Sequence, residues 1–363
     1  NDCDVATIDE PDADGDGYTA CEECDDGDAD VNPGAVEEIC DGLDNDCDPA
    51  TLDDPGNDGD GDGYLVCDDC DDANADVYPG APELTCDGVA NDCDGGSEFW
   101  VPTDQPTIQD AIDAAADNDV VCVEAGTYVE LIDFSGKAIT VHGVDGPQDT
   151  IIDGDAADVV VSFINGEDAL SVLEGFTITN GDGYYYGGGI RADNASPVLR
   201  NLVVTDNYNW AAGGGICLYE SYATLSNIVV SHNWASSGSG VYIYSGSPTF
   251  TNMLIADNYA DSSGGAFYLA YYAEAVFDHV IMSGNYARYH AGAGNIGYGG
   301  AWMNHVIMVG NQSEMWGGGA IYTGNGTGHL DLSHCILANN DAQPGNGGAV
   351  NVLDRQTYSI THT

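Results

Sequence analysis

The sequence predicts an all-β chain: a right-handed parallel β-helix (a solenoid) with a short N-terminal capping helix, preceded by a loop-rich acidic repeat domain. Three observations carry this reading. Nine Asp and Glu, three Gly and two Cys fall between Asp12 and Asp30, and the arrangement returns from Asp58 to Asp76 at a fixed offset of 46. From residue 173 onward a glycine-rich pattern repeats about every 26 residues. Between these regions the composition changes abruptly: 34 of the 62 acidic residues lie in residues 1–98, which hold no Lys or Arg, and the other 28 are spread over 265 positions. The boundary therefore falls near Gly95–Trp100. It separates residues 1–98 (two full units at 12–57 and 58–95 plus a partial unit) from 99–363.

Charge sets the first constraint. So many carboxylates within a Debye length of one another repel, and the acidic domain needs counter-ions to stay compact. Nothing resembles a basic footprint, which excludes nucleic acid as a partner. No apolar run is long enough to span a membrane, and no segment of this sequence reads as a signal peptide, so none is expected in it. Asn1-Asp2-Cys3-Asp4 recurs at Asn45–Asp48 and Asn91–Asp94, so the chain is expected to start partway through a repeat, as a processed product or a fragment of something longer.

The acidic spacing is that of cation loops. Asp12, Asp14 and Asp16 alternate, Gly17 follows, Tyr18 offers a backbone carbonyl and Glu23 stands at the twelfth position, the 1-3-5-7-12 pattern of an EF-hand loop. Asp58, Asp60, Asp62, Tyr64 and Asp69 repeat it. A second loop follows in each unit, formed by Asp26, Asp28, Asp30, Asn32 and Glu37 and again by Asp72, Asn74, Asp76, Tyr78 and Glu83. Here position six is Val31 or Val77, so the turn must differ. A third cluster, Asp41, Asp44, Asp46 and Asp48, loses a member where Ala90 replaces Asp44 in the next unit. The donors are hard oxygens, which points to several structural calcium ions. No amphipathic helices flank these loops, so they are not true EF-hands, and the competing reading is a solvated acidic linker.

Nine of the twelve cysteines lie in this domain: Cys3, Cys21, Cys24, Cys40, Cys47, Cys67, Cys70, Cys86 and Cys93. In a small unit without an apolar core they read as disulfides of an oxidising compartment. Sequential pairing (3 with 21, 24 with 40, 47 with 67, 70 with 86) and pairing within a repeat (40 with 47) both remain open. Zinc at the Cys-x-x-Cys pairs 21/24 and 67/70 is a further alternative.

The unit Asp-x-Asp-Gly-Asp-Gly-Tyr…Cys-Asp-Asp…Pro-Gly-Ala…Cys-Asp-Gly…Asn-Asp-Cys-Asp closely resembles the metal-binding repeat named after MopE, a surface protein of methanotrophs, and is similar in style to thrombospondin type 3 repeats. The resemblance covers residues 1–95 and implies a metal-binding, cell-surface role. Copper is not carried over from it, because residues 1–98 contain no His.

In the second domain, Pro106–Ala116 reads as a capped amphipathic helix, followed by the strand patterns Val120–Val123, Ala125–Tyr128 and Ala138–Gly143. Segments of the type Asn201–Asn207 recur as Asn227–Asn233, Asn252–Asn258, His279–Asn285, His305–Asn311 and His334–Asn340. Between them stand Gly-Gly-Ile and Gly-Gly-Ala units such as Gly188–Ile190, Gly214–Ile216 and Gly318–Ile321. No such unit buries its apolar face alone, so the coils must stack. Stacking makes Asn207, Asn233, Asn258, Asn285 and Asn311 an amide ladder and lines up Tyr208, Trp234, Tyr259 and Tyr286. His279, His305, His334 and His362 are expected to stabilise turns, and Cys122, Cys217 and Cys335 to be small core residues. The helix and strand succession looks like the entry to pectin-lyase-like β-helices, and the Gly-Gly-Ala-Ile units resemble those of chlamydial polymorphic outer-membrane proteins.

The pectin-lyase-like resemblance implies carbohydrate chemistry, yet only Lys137, Arg191, Arg200, Arg288 and Arg355 are basic, and no Gly-His-Gly or Arg-Ile-Lys occurs. Arg288 and His290 beside Tyr286 and Tyr289 form the most site-like cluster, read as a longer turn. No catalytic residue is assigned, and the expectation is a non-enzymatic, calcium-stabilised extracellular or bacterial cell-surface structural protein that self-assembles head to tail into a filament. The alternative is an adhesin or a carbohydrate-binding or carbohydrate-active β-helix with glycans or cell surfaces as partners, which requires exposed aromatics with convergent carboxylates in a groove.

Overall fold

The computed structural model describes residues 12–19, 21–38, 40, 43–51, 58–81, 86–89, 91, 93, 97–324, 329–342, 348–352 and 357–361. The chain divides into two compact units, Asn1–Gly95 and Gly96–Thr363.

The larger unit is a parallel β-helix. Among the described residues its strands form sheets of 18, seven and nine members. One column runs Val203–Thr205, Val229–Ser231, Thr249–Ala256, Ala273–Ser283, Ile307–Val309, each parallel to the next. Alternation along these short strands sends Val204, Val230, Ile255, Met282 and Met308 inward to full burial, each packed against its register partner one coil away. Phe250 and Phe277 continue the same logic as a stacked pair 4.7 Å apart. Burying such a side chain contributes about 1.5 to 3 kcal/mol, and the stacked core repeats that gain coil after coil.

Two ladders define the turns. Asn201, Asn227, Asn252, His279, His305 and His334 all take left-handed backbone, with φ between 53° and 56°. Six residues further on comes the amide ladder. Asn233 Oδ1 accepts from the backbone N–H and side-chain Nδ2 of Asn207 at 3.0 and 3.1 Å, Asn258 does the same for Asn233, and the series continues through Asn285 and Asn311 to Asn340. From Asn207 to Asn311 these amides are buried and hydrogen-bonded, which offsets the cost of removing them from water.

The capping helix spans Ile108–Ala114, shorter than the sequence pattern. Thr107 caps its start by accepting from the Asp110 N–H, and the Glu130 carboxylate accepts from the N–H groups of Ile108 and Gln109 at 3.0 Å each. It ends because Ala115 turns extended (ψ 148°). Lys137 Nζ closes that end, donating to the carbonyls of Ile112, Asp113 and Ala115 at 2.6, 2.9 and 2.7 Å. Ile108, Ala111 and Ile112 face the core.

The smaller unit contains no helix or strand among the described residues. Val31 and Val77, each almost fully buried, and the buried amides Asn45 and Asn91 serve as its core. Asn45 and Asn91 accept the N–H groups of Asn32 and Tyr78 at 2.8 and 2.9 Å. This explains the missing glycine at position six of the second loops, where an apolar side chain is needed. Gly17 and Gly63, at position six of the first loops, stand at φ 104° and 103°, which an L-residue rarely adopts.

Of the pairings considered from sequence, 24 with 40, 47 with 67, 70 with 86 and the within-repeat 40 with 47 are corrected, while 3 with 21 involves Cys3, which lies outside the described residues. The bonds run Cys24–Cys47, Cys40–Cys67 and Cys70–Cys93, which rules out zinc thiolates at the described Cys67 and Cys70. Cys21 and Cys86 are also disulfide-bonded, and Cys3 lies outside the described residues. Cys122 is corrected as well. It is buried but disulfide-bonded, whereas Cys217 and Cys335 are free and buried as expected.

Candidate functional site

The first acidic loops converge. Asp12 accepts from the N–H groups of Gly15 and Gly17 at 2.5 and 3.0 Å, Asp14 from Asp16 at 3.2 Å and Asp16 from Tyr18 at 2.8 Å. Each carboxylate thus spends an oxygen on folding the loop. Asp14 Oδ2, Asp16 Oδ2 and both Glu23 oxygens remain buried with no hydrogen-bond partner, and Asp60, Asp62 and Asp69 each leave Oδ2 in the same state. Burial, followed by repulsion from Asp16 and Asp14, lifts the Glu23 carboxyl to about 7, and burial raises Asp14 and Asp60. Orphaned, mutually repelling oxygens at loop positions three, five and twelve fit a cation.

The second loops are organised differently. Asp26 and Asp72 accept from Ala13 and Gly59 at 3.0 and 2.8 Å, tying them to the first loops. Asp28 caps the Asp30 N–H, Asn74 caps Asp76, and Asn32 caps Gly34. Glu37 instead meets Asp44 and Asp46, with one ligand atom of each within 4.8 Å of the others. Asp48 caps Ala50, and the Tyr64 and Tyr78 rings stack at 5.1 Å. Glu83 and Asp41 lie outside the described residues.

On the β-helix, the seven-stranded sheet carries an aromatic wall. Asp182, Tyr208, Trp234, Tyr259 and Tyr286 are consecutive register partners. Tyr208 and Trp234 stack at 4.3 Å and 4°, Tyr259 and Tyr286 at 4.8 Å and 15°. Trp210 stands edge-on against Tyr208 and Trp234 and is 64% exposed. At the Asp182 end a cavity of about 400 Å³ is lined by Asp153, Asp155, Asn180, Asp182, Asp206 and Tyr208, with Ala156 and Gly181. Left-handed turns at Asp155, Asn180 and Asp206 carry these side chains to one place. Asn180 Nδ2 donates to Asp153 at 2.9 Å. Burial, then the charges of Asp182 and Asp261, hold the Tyr208 phenol above its ordinary value, keeping it a donor. The ladder was expected from sequence. Trp210 and the carboxylates were not, although Asp182 stands one 26-residue period before Tyr208.

The cluster around Arg288 is internally occupied. Tyr286 hydrogen-bonds Glu314, Arg288 lies over the Tyr289 ring, Ser263 Oγ is 3.1 Å from His290 Nδ1, and Tyr322 packs on His290 at 4.5 Å. Burial holds His290 below its usual value.

Comparison with known proteins adds the following. The family model of the right-handed β-helix region matches residues 163–363, and that of the Cu-binding MopE-type metal-binding motif matches 24–52 and 69–98. No curated protein matches the chain. Among solved structures, pectin methylesterase from Aspergillus niger is similar at 15% identity, covering 72% of this chain and 90% of its own, with a TM-score of 0.44. A pectin methylesterase variant in complex with a hexasaccharide is similar at 10% identity, covering 73% and 92%, with a TM-score of 0.30. Likeness at this level concerns the fold alone. Two expectations are corrected. The non-enzymatic expectation is withdrawn, because the right-handed β-helix that the family model matches does not exclude catalysis. The calcium assignment does not stand either, because the matching motif is of a Cu-binding type and gives calcium no support.

Proposed function

The chain belongs to the right-handed β-helix family, and on that scaffold we propose that it binds carbohydrate along the aromatic wall. One observation carries this reading: exposed Trp210 and the stacked Tyr208 and Trp234 adjoin a cavity lined by four carboxylates. Aromatic faces pack against the apolar C–H faces of sugar rings, and carboxylates accept from their hydroxyls. This reading takes precedence over the structural filament, because exposed aromatics beside several carboxylates are the features that favour a glycan ligand. A chain with formal charge −57 repels polyanions, so a neutral, hydroxyl-rich glycan is the favoured class. Paired carboxylates are also the residue type that acid–base chemistry at a glycosidic bond uses, so reducing-end release belongs in the test. The disulfides suit an oxidising compartment outside the cell, and no helix among the described residues is long and apolar enough to cross a membrane. Neutral glycans should bind in an array or by calorimetry, and Trp210→Ala should weaken them about tenfold, the equivalent of about 1.4 kcal/mol. Absence of glycan binding, or binding indifferent to Trp210→Ala and Asp182→Asn, would overturn the reading.

A second reading is carried by the orphaned carboxylate oxygens, which recur in both first loops. We propose that Asp12, Asp14, Asp16 and Glu23, and likewise Asp58, Asp60, Asp62 and Asp69, hold metal ions that organise the acidic unit. A bound cation would neutralise the loop and order its backbone. Metal content measured after exposure to copper, zinc, manganese and calcium in turn should show uptake that falls in Asp14→Ala and Asp60→Ala. Equal uptake by wild type and variants would count against it.

A further inference from the structure

The left-handed turn column changes character partway along the β-helix. Asn201, Asn227 and Asn252 fill it in three coils, and His279, His305 and His334 in the next three, at the same φ. The backbone does not demand imidazole there, since Asn adopts this conformation readily and does so one coil earlier. The His279 and His305 rings lie 4.6 Å apart at 15°, and the His305 and His334 rings 4.9 Å apart at 10°. Asp278 lies beside the first two: Oδ2 is 3.0 Å from His279 Nδ1 and Oδ1 is 4.0 Å from His305 Nδ1. Asn304, one coil on in register with Asp278, donates to Asp278 Oδ1 at 2.7 Å and fixes the carboxylate. One ligand atom from each of Asp278, His279 and His305 lies within 4.8 Å of the other two.

We propose that Asp278, His279 and His305 form a surface site for a borderline transition-metal ion such as Cu(II) or Zn(II). Two imidazoles and one carboxylate are a donor set for these ions rather than for hard, all-oxygen cations. Metal–nitrogen bonds of about 2.0 to 2.1 Å require the two rings to approach slightly. Their side chains are 55% and 48% exposed, which leaves room for that rotation. With three protein ligands, a fourth position stays open to water or a ligand, and His334 extends the column by one more imidazole. The strongly negative chain raises the local cation concentration.

The test uses the full chain with one equivalent of Cu(II), read by electron paramagnetic resonance. Residues 1–98 contain no His, so nitrogen superhyperfine coupling cannot arise from imidazole in the acidic loops. The expected result is coupling to two nitrogens that is lost in the His279→Ala/His305→Ala double variant and retained in His232→Ala. Asp278→Asn should weaken Cu(II) or Zn(II) binding about tenfold in calorimetry. Oxygen-only coordination, a nitrogen signal unchanged in the double variant, or binding only at millimolar metal would each overturn the site.

Discussion

At the residue scale, single polar side chains hold positions that the repeat pattern does not specify. Lys137 spends its ammonium on three helix carbonyls, and Lys137→Met should destabilise the β-helix by about 1.5 to 3 kcal/mol in thermal or denaturant unfolding, the worth of hydrogen bonds to a charged group. Glu174 is buried between His142, whose Nδ1 lies 3.0 Å from Oε1, and Arg200. Burial alone would raise its carboxyl, but hydrogen bonds from His142 and Arg200 prevail and hold it below the ordinary value. A depressed folded-state value means that the stabilisation is complete above the unfolded-state value and disappears as pH falls through the folded one. The β-helix should therefore lose stability below about pH 4.3. Arg200→Ala should cost about 1 to 2 kcal/mol at neutral pH, a discounted figure because the guanidinium is nearly half exposed, and should flatten the acid limb of a stability–pH curve. An unchanged acid limb would show that Glu174 does not govern it.

At the element scale, the coil is the unit of stability. Asn258 Oδ1 accepts two hydrogen bonds from Asn233, and its Nδ2 donates to Val230, Ala256 and Asn285. Asn258→Ala strands buried donors and acceptors on both neighbouring coils and should cost about 2 to 4 kcal/mol, with hydrogen-exchange protection lost first in those coils. Protection lost evenly along the helix would contradict a nearest-neighbour solenoid. Much of this was legible in the sequence, because Asn207 to Asn311 recur every 25 to 27 residues and each coil repeats the same apolar alternation. The capping helix was legible by type but not by length, since Lys137 and Glu130, which close its ends, come from a distant segment. Asp153, Asp155, Asp182 and Asp206 were illegible as a group. They come from consecutive coils of unequal turn length, and only folding brings them beside Tyr208. The cystine pairs were hidden for a related reason: Cys40 bonds across the unit boundary to Cys67, which no reading of one repeat reveals.

At the scale of the whole molecule, the β-helix rests on apolar stacking, whereas the acidic unit, on the metal-binding reading proposed above, rests on charge neutralisation with cystines. Metal removal should consequently loosen Asn1–Gly95, seen as faster proteolysis at its loops, while the far-ultraviolet strand signal of the β-helix persists. Salt near 1 M, where the Debye length is about 3 Å, should partly restore protection. Equal protease resistance with and without chelator would refute the dependence. The cystines also set how far the acidic segment can be pulled. Under tension the covalent path crosses from Cys24 to Cys47, returns seven residues to Cys40, crosses to Cys67, runs three residues to Cys70 and crosses to Cys93. At roughly 3.4 Å per residue those ten residues extend to about 34 Å, with three bridges of 5.1 to 5.8 Å between Cα atoms, whereas the 69 residues from Cys24 to Cys93 would otherwise reach about 235 Å. Even when its folding is undone, this segment behaves as a short, nearly inextensible tether, and a single backbone cut between Cys24 and Cys40 leaves it unbroken.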